Sequence, residues 1–160
     1  MKKTVIATVI LVIALCSVFG HDAEILTPKD EFGDPMPNKT YLDISLLLSK
    51  RGTVEHTYTG LYLHIINEKS NGAWKVSLTY NCKELDFGKI EFLNEKDEVW
   101  LSLSGPNLSV SKGQILKDKL FAGELIKIRV VISSGFYGVK IEPNTNYRDR
   151  LDTTLTEYFN

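Results

Sequence analysis

Apolar and polar positions alternate with a period of two through most of the chain after its first forty residues, and that period predicts strands. The clearest case is late. Ile126, Ile128, Val130 and Ile132 fall on one side while Lys127 and Arg129 fall on the other; Ser133-Ser134-Gly135 supplies a turn, and Phe136 to Glu142 returns with Val139 and Ile141 on a single side. The two runs predict a hairpin. Leu61-Leu63-Ile65 alternating with Tyr62-His64-Ile66, and Trp74-Val76-Leu78-Tyr80 alternating with Lys75-Ser77-Thr79, predict a second hairpin across the polar stretch Asn67 to Gly72. Lys89 to Leu93 and Glu98 to Leu103 form a third pair across Asn94-Glu95-Lys96-Asp97. Tyr41 to Leu48 is read as a strand although Leu47 blurs its alternation, and the last dozen residues, with Leu151, Leu155 and Tyr158-Phe159, fit either a short helix or a further strand. Short strands separated by turn residues predict an all-β, antiparallel two-sheet β-sandwich.

The amino terminus follows another rule. Lys2 and Lys3 precede an apolar run from Val5 to Leu15, and Val18 and Gly20 are small, which predicts a signal peptide over 1–20 and a secreted, extracellular protein. The run is too short for a membrane span, so none is expected once the signal is cleaved. Ile13-Ala14-Leu15-Cys16 superficially resembles a lipid-attachment box, but Leu15 is too bulky for it. Residues 21–40, with three prolines between Thr27 and Asn38, predict an extended arm, and 41–160 a single domain.

Loss of Lys2 and Lys3 leaves a formal charge near −3, from the 19 basic and 20 acidic side chains of the whole chain. That mild acidity argues against nucleic acid as a partner. It also leaves Cys82 as the one cysteine of the mature chain, hence a buried free thiol or a bond to another chain.

The hairpin and its flanks carry a resemblance: Leu120-Phe121-Ala122-Gly123-Glu124, Ile126 to Ser133, Gly135-Phe136, Val139-Lys140-Ile141 and Arg148-Asp149-Arg150-Leu151. Together these are similar to the second half of a galectin domain. The resemblance implies a galectin or concanavalin-like jelly roll with a β-galactoside groove on its concave sheet. It places Ser102, Ser104 and Pro106 where that family carries its sugar-contacting His, Asn and Arg. Gly113 to Asp118 stands where the family has Gly-x-Trp-Gly-x-Glu, with Ile115 replacing the stacking tryptophan and Asp118 keeping an acceptor. Ser102, Ser104 and Asp118 are therefore the candidate carbohydrate-binding residues, in a site that has lost most of the family's contacts. Trp74, Trp100 and the tyrosines are the remaining candidates for stacking on a sugar face, against their more common use as core fillers.

No nucleophile elbow, phosphate-cradling glycine loop or dinucleotide fingerprint occurs, so no catalytic residue and no cofactor is expected. His21, His56 and His64 stand at no metal-ligand spacing, so no metal site is expected, and His64 within an apolar strand reads as a satisfied inward or edge residue. Asn38-Lys39-Thr40 and Asn107-Leu108-Ser109 are glycosylation sequons in predicted loops. The expectation is a non-catalytic module that binds a carbohydrate or glycoprotein ligand; the alternative is an extracellular domain that binds a protein partner without glycan recognition.

Overall fold

A computed structural model describes residues 21–50, 60–124 and 127–160. The expected leader, Cys16, His56 and Ile126 lie outside them. The described strands are β1 (Asp22–Leu26), β2 (Tyr41–Leu47), β3 (Ser49–Lys50), β4 (Leu61–Glu68), β5 (Trp74–Tyr80), β6 (Lys83–Leu85), β7 (Lys89–Leu93), β8 (Val99–Leu103), β9 (Lys127–Ile132) and β10 (Gly135–Lys140). Two helices join them, α1 (Val110–Phe121) and α2 (Asn146–Phe159).

The strands form two five-stranded antiparallel sheets, ordered β1-β2-β4-β5-β6 and β3-β10-β9-β7-β8, packed as a sandwich. The chain changes sheet between β2 and β3, where Leu48 is fully buried. Alternation does what the sequence predicts. Leu42, Ile44 and Leu46 of β2, opposite Asn67, Ile65 and Leu63 of β4, point into the interior, and Val76 and Leu78 of β5 continue the layer. Ile90 and Phe92 of β7, Leu101 and Leu103 of β8, and Ile128 and Val130 of β9 face them from the second sheet. Each such side chain, fully buried, is worth about 1.5–3 kcal/mol of transfer free energy.

All three expected hairpins form. Ile132 pairs with Gly135 across Ser133-Ser134, and β7 pairs with β8 with a register shift at Phe92/Leu93. Asn94 closes the second of these turns by accepting from the N–H groups of Lys96 (2.9 Å) and Glu98 (3.0 Å) through its side-chain oxygen. The β4–β5 loop is shorter than expected, because Asn67 and Glu68 belong to β4.

Four features depart from expectation or resolve what the sequence leaves open. Asp22–Leu26 of the supposed arm is an edge strand, paired with β2 from Asp22↔Ser45 to Leu26↔Tyr41. The carboxyl-terminal residues, which fit either a short helix or a further strand, form a helix. Tyr147, Leu151, Leu155 and Tyr158 share one buried helix face, Thr145 caps the start by accepting from the Arg148 N–H at 3.2 Å, and Asp149 in the first turn suits the helix dipole. This helix covers the free edge of β1: Thr154 Oγ1 donates to the Ala23 carbonyl and Arg150 to that of His21, both at 3.2 Å. Such cover protects an edge that would otherwise recruit another strand.

The third departure bears on the galectin resemblance. Gly113 to Asp118 and Leu120 to Glu124 are the body and end of α1. Ser109 caps its start, and Gly113, Leu116 and Leu120 form its buried face. At its end Gly123, with φ +73°, donates to the Leu120 carbonyl at 3.1 Å while the Glu124 N–H donates to that of Lys119 at 2.8 Å. That bond pair is the Schellman termination, which requires a left-handed residue and so a glycine. Gly123, part of the galectin resemblance, is thus a helix stop. Fourthly, Cys82 is disulfide-bonded rather than a free thiol. Cys82 occupies the tight β5–β6 turn, where Asn81 (φ 47°) and Cys82 (φ 62°) both adopt the left-handed region of a two-residue hairpin loop.

Candidate functional site

The same alternation that buries Leu42, Ile44, Ile65 and Val76 turns the intervening residues outward from the first sheet. On β2 these are Tyr41, Asp43 and Ser45; on β4 Tyr62, His64, Ile66 and Glu68; on β5 Lys75, Ser77 and Thr79. All of them except Ser45 and Tyr62 floor a groove of about 550 Å³ on that sheet face. Pro28, Lys39 and Thr40 stand on one wall, Ser70 contributes from the β4–β5 loop, and Cys82 from the β5–β6 turn. The Thr27 and Thr40 hydroxyls, 2.8 Å apart, tie the two ends of the wall together.

A hydrogen-bonded line crosses the floor over three adjacent strands. The Nδ1 of His64 lies 3.0 and 3.1 Å from the two carboxylate oxygens of Asp43, and its Nε2 lies 3.1 Å from Thr79 Oγ1. Register explains the contact: His64 stands opposite Ser45 and Ser77, so Asp43 and Thr79 are its diagonal neighbours two residues away on each flanking strand. All three are largely shielded from water, with side-chain exposures of 20% for His64 and 15% for Asp43. An ionised carboxylate can only accept, so Nδ1 carries a proton and the neutral ring offers Nε2 to Thr79 as an acceptor.

Further along the floor Lys75 pairs with Glu68 at 2.9 Å, and Asn71 donates to the other Glu68 oxygen at 3.0 Å. The bonds from Lys75 and then Asn71 hold the Glu68 carboxyl below its usual range. Beyond β2, burial, with the neighbouring Asp22 and then Asp43, pushes the Glu24 carboxyl up. Burial, helped by Asp43 and Glu24, raises the Tyr41 phenol. The groove therefore combines the Tyr41 ring, an aliphatic surface at Ile66, two cations of which Lys75 is balanced by Glu68 and Lys39 stands on the wall, and several hydroxyl or carboxylate partners.

Asp, His and a hydroxyl in series also form the connectivity of a nucleophilic relay. Acyl transfer further needs donors aimed at a developing oxyanion. The backbone N–H groups of β4 and β5 around His64 are committed to the antiparallel ladder. What the arrangement supplies is a fixed row of hydrogen-bonding partners.

The residues singled out through the galectin resemblance lie elsewhere. Ser102 is exposed on edge strand β8, paired with Glu91, and its carbonyl accepts from Lys112 Nζ at 3.2 Å. Ser104 is exposed in the bend after β8, and Asp118 is exposed on α1, accepting from Gln114 at 2.7 Å. None of the three lines the groove. Asn38 is exposed in a 3-10 turn (Pro37–Lys39) beside the groove wall. Asn107 is exposed opposite Lys75, in a segment that extends the β5 edge: Val76 N–H donates to the Pro106 carbonyl at 2.7 Å, and Leu108 N–H to that of Trp74 at 3.0 Å. Trp74 is buried and stacked on Phe159, with ring centroids 6.1 Å apart, and half-buried Trp100 packs on Phe92 at 5.4 Å. Neither lines the groove.

His64 is neither inward nor at an edge: it faces outward from the central strand of its sheet. The signal lay in parity. His64, Ser77 and Thr79 occupy the polar phase of their strands, as Asp43 does in β2, but sequence spacing does not show that these phases share one sheet face. Among the described residues no three His, Cys, Asp or Glu side chains are grouped to hold a metal ion. No family model, curated protein or solved structure matches the chain.

Proposed function

We propose that this chain is a secreted, non-catalytic module that binds a carbohydrate or glycoprotein ligand in the groove of the first sheet. The observation that carries the reading is the Asp43–His64–Thr79 line beside Tyr41 and Ile66. Sugars present an apolar ring face rimmed by hydroxyls, and a half-buried aromatic next to pre-aligned donors and acceptors suits both. The balanced charge of Glu68 and Lys75 favours a polar ligand over a strongly ionic one. A galectin-like, jelly-roll descent belongs to the same proposal; its support is the pair of sheets and the β9–β10 hairpin, while α1 occupies the stretch aligned with the family's stacking motif.

The test is glycan-array binding and calorimetry on the secreted protein, with Ser77→Trp to fill the groove. The substitution is expected to weaken glycan binding by at least about tenfold while leaving the melting temperature nearly unchanged, because Ser77 points away from the core. Glycan binding that survives Ser77→Trp and Asp43→Asn overturns the groove assignment.

A second reading has one observation of its own. Phe136 is 56% exposed on β10 and pairs with Val131, an apolar spot on the outer face of the second sheet. It favours a protein partner docked there, and that reading gains if Phe136→Ser abolishes capture of a partner while the arrays stay blank.

A further inference from the structure

We propose that the Asp43–His64–Thr79 relay sets the hydrogen-bond sense of the groove according to pH, so that the groove rejects carboxylate-bearing sugars near neutrality and admits them in acid. The inference rests on the carbohydrate reading above and adds a ligand class and its control.

The argument is one of proton counting. With both Asp43 oxygens within 3.1 Å, Nδ1 carries a hydrogen in either charge state of the ring. When the ring is neutral, Nε2 is a lone pair, and the Thr79 hydroxyl 3.1 Å away must donate to it. The lone pairs of Thr79 are then what it offers the groove. When the ring gains a proton, Nε2–H donates to Thr79 Oγ1 instead. The hydroxyl hydrogen is released and turns to other acceptors. One proton therefore converts Thr79 from an acceptor into a donor toward the ligand, and the same proton cancels the charge of Asp43.

Both changes act in one direction for an anionic group. Near neutrality a carboxylate entering the groove meets the charge of Asp43 and an acceptor at Thr79, opposed by the wall cation Lys39, which is present at either pH. In acid it meets a neutralised pair and a donor. A sugar hydroxyl is both donor and acceptor, so it rotates to suit either state, and a neutral sugar is far less sensitive.

The surroundings set what else contributes. On β4 itself Tyr62 lies with its ring centroid 6.4 Å from that of His64, and Glu68 lies further along. From β2 come Asp43 and Tyr41, from β5 Lys75, Ser77 and Thr79, and from the wall Lys39. Beyond β2, Asp22 and Glu24 of β1 share the outward phase of Ser45 and Asp43, and Glu84 of β6 stands opposite Thr79. Lys75 is balanced by Glu68. Protonation of Glu24 in acid would also ease entry of an anion, so the role of His64 has to be isolated by substitution.

The experiment is calorimetry of the secreted protein with glucuronate and glucose at a series of pH values from about 8 down to about 5. Glucuronate stays ionised throughout. The ratio of glucuronate to glucose affinity is expected to rise at least about tenfold on acidification, to stay nearly level in His64→Gln, and to rise less in Thr79→Val, which keeps the charge but loses the hydroxyl. An equal rise in the wild type and in His64→Gln, or glucose binding with no rise in the ratio, overturns the inference and leaves the carbohydrate reading standing. If His64→Gln does not fold, an undiminished rise in Thr79→Val overturns it. Binding of neither sugar, with glycan arrays also blank, removes the carbohydrate reading and this inference with it.

Discussion

Gly113 of α1 lies against the indole of Trp74 so closely that a Cβ built on the glycine would stand 2.7 Å from Trp74 Cδ1. The contact docks the helix onto β5, and with Leu116 and Leu120 it completes the buried side of α1. Helix propensity alone favours alanine over glycine by about 1 kcal/mol. Here the added methyl has no room, because Trp74 is buried and stacked on Phe159 and cannot swing away. Gly113→Ala is therefore expected to lower stability by about 1–3 kcal/mol, read as an earlier urea midpoint. A more stable variant would show that the helix is not seated on the indole.

Arg148 is the second link between helix and helix. Its guanidinium is buried, donates to the Leu120 carbonyl at 3.0 Å and grips Asp152 through both Nη2 (2.6 Å) and Nε (3.2 Å). The planar fork serves a helix end and a carboxylate together, which a lysine cannot reproduce. Arg148→Lys is expected to cost about 2 kcal/mol, and Asp152→Asn less, since Asp152 is half exposed. Equal losses for the two in chemical denaturation would show that the Leu120 carbonyl contributes nothing.

Acid should loosen the second sheet. Glu91 is buried on β7 between Lys89 and Arg129 of β9, whose Nε lies 2.6 Å away, and bonds from Lys89 and then Arg129 hold its carboxyl below the usual range. A depressed carboxyl contributes stability that is complete above its unfolded value, about 4.3, and is lost as pH falls through its folded value. Glu91→Gln is expected to be less stable than the wild type near neutrality and to lose less further stability on acidification. Parallel stability curves for the two proteins below about pH 5 would contradict this.

Alkali should act on α2. The Tyr158 hydroxyl donates to the Asn67 carbonyl at 2.7 Å, and burial pushes its phenol up to about 12. Burial raises the Tyr147 phenol as well. A raised phenol contributes stability that is complete below the unfolded value, about 10, and is lost as pH climbs through the folded one. The phenolate absorbance of the folded protein should show three late-titrating tyrosines among the described residues, Tyr147 and Tyr158 of this helix and Tyr41 of the groove. Tyr158→Phe should remove one of them and cost about 1 kcal/mol for the lost bond.

Much of the fold was legible because a strand writes its two faces into adjacent residues. The Ile128/Val130 phase of β9, the Leu63/Ile65 phase of β4 and the Val76/Leu78 phase of β5 are local facts, and each proves to be the buried phase. The helices were harder. Leu151, Leu155 and Tyr158-Phe159 fit helix or strand by spacing alone, and the galectin resemblance covers Leu116, Leu120 and Gly123 although Ser109 and Gly123 bracket a capped helix. A glycine reports only that the backbone needs freedom, and both a turn and a Schellman stop need it.

The candidate site shows the same division more sharply. From the chain alone came the two-sheet sandwich, the three hairpins and the polar phase to which His64, Ser77 and Thr79 belong. Only the tertiary structure decided that β2 lies beside the β4–β5 hairpin, in a register that sets Asp43 and Thr79 on either side of one imidazole. The physical reason is range: alternation is enforced by each residue's own backbone, whereas the β2–β4 register joins segments that hold Asp43 and His64 21 positions apart, and no single segment contains the energetics of that pairing.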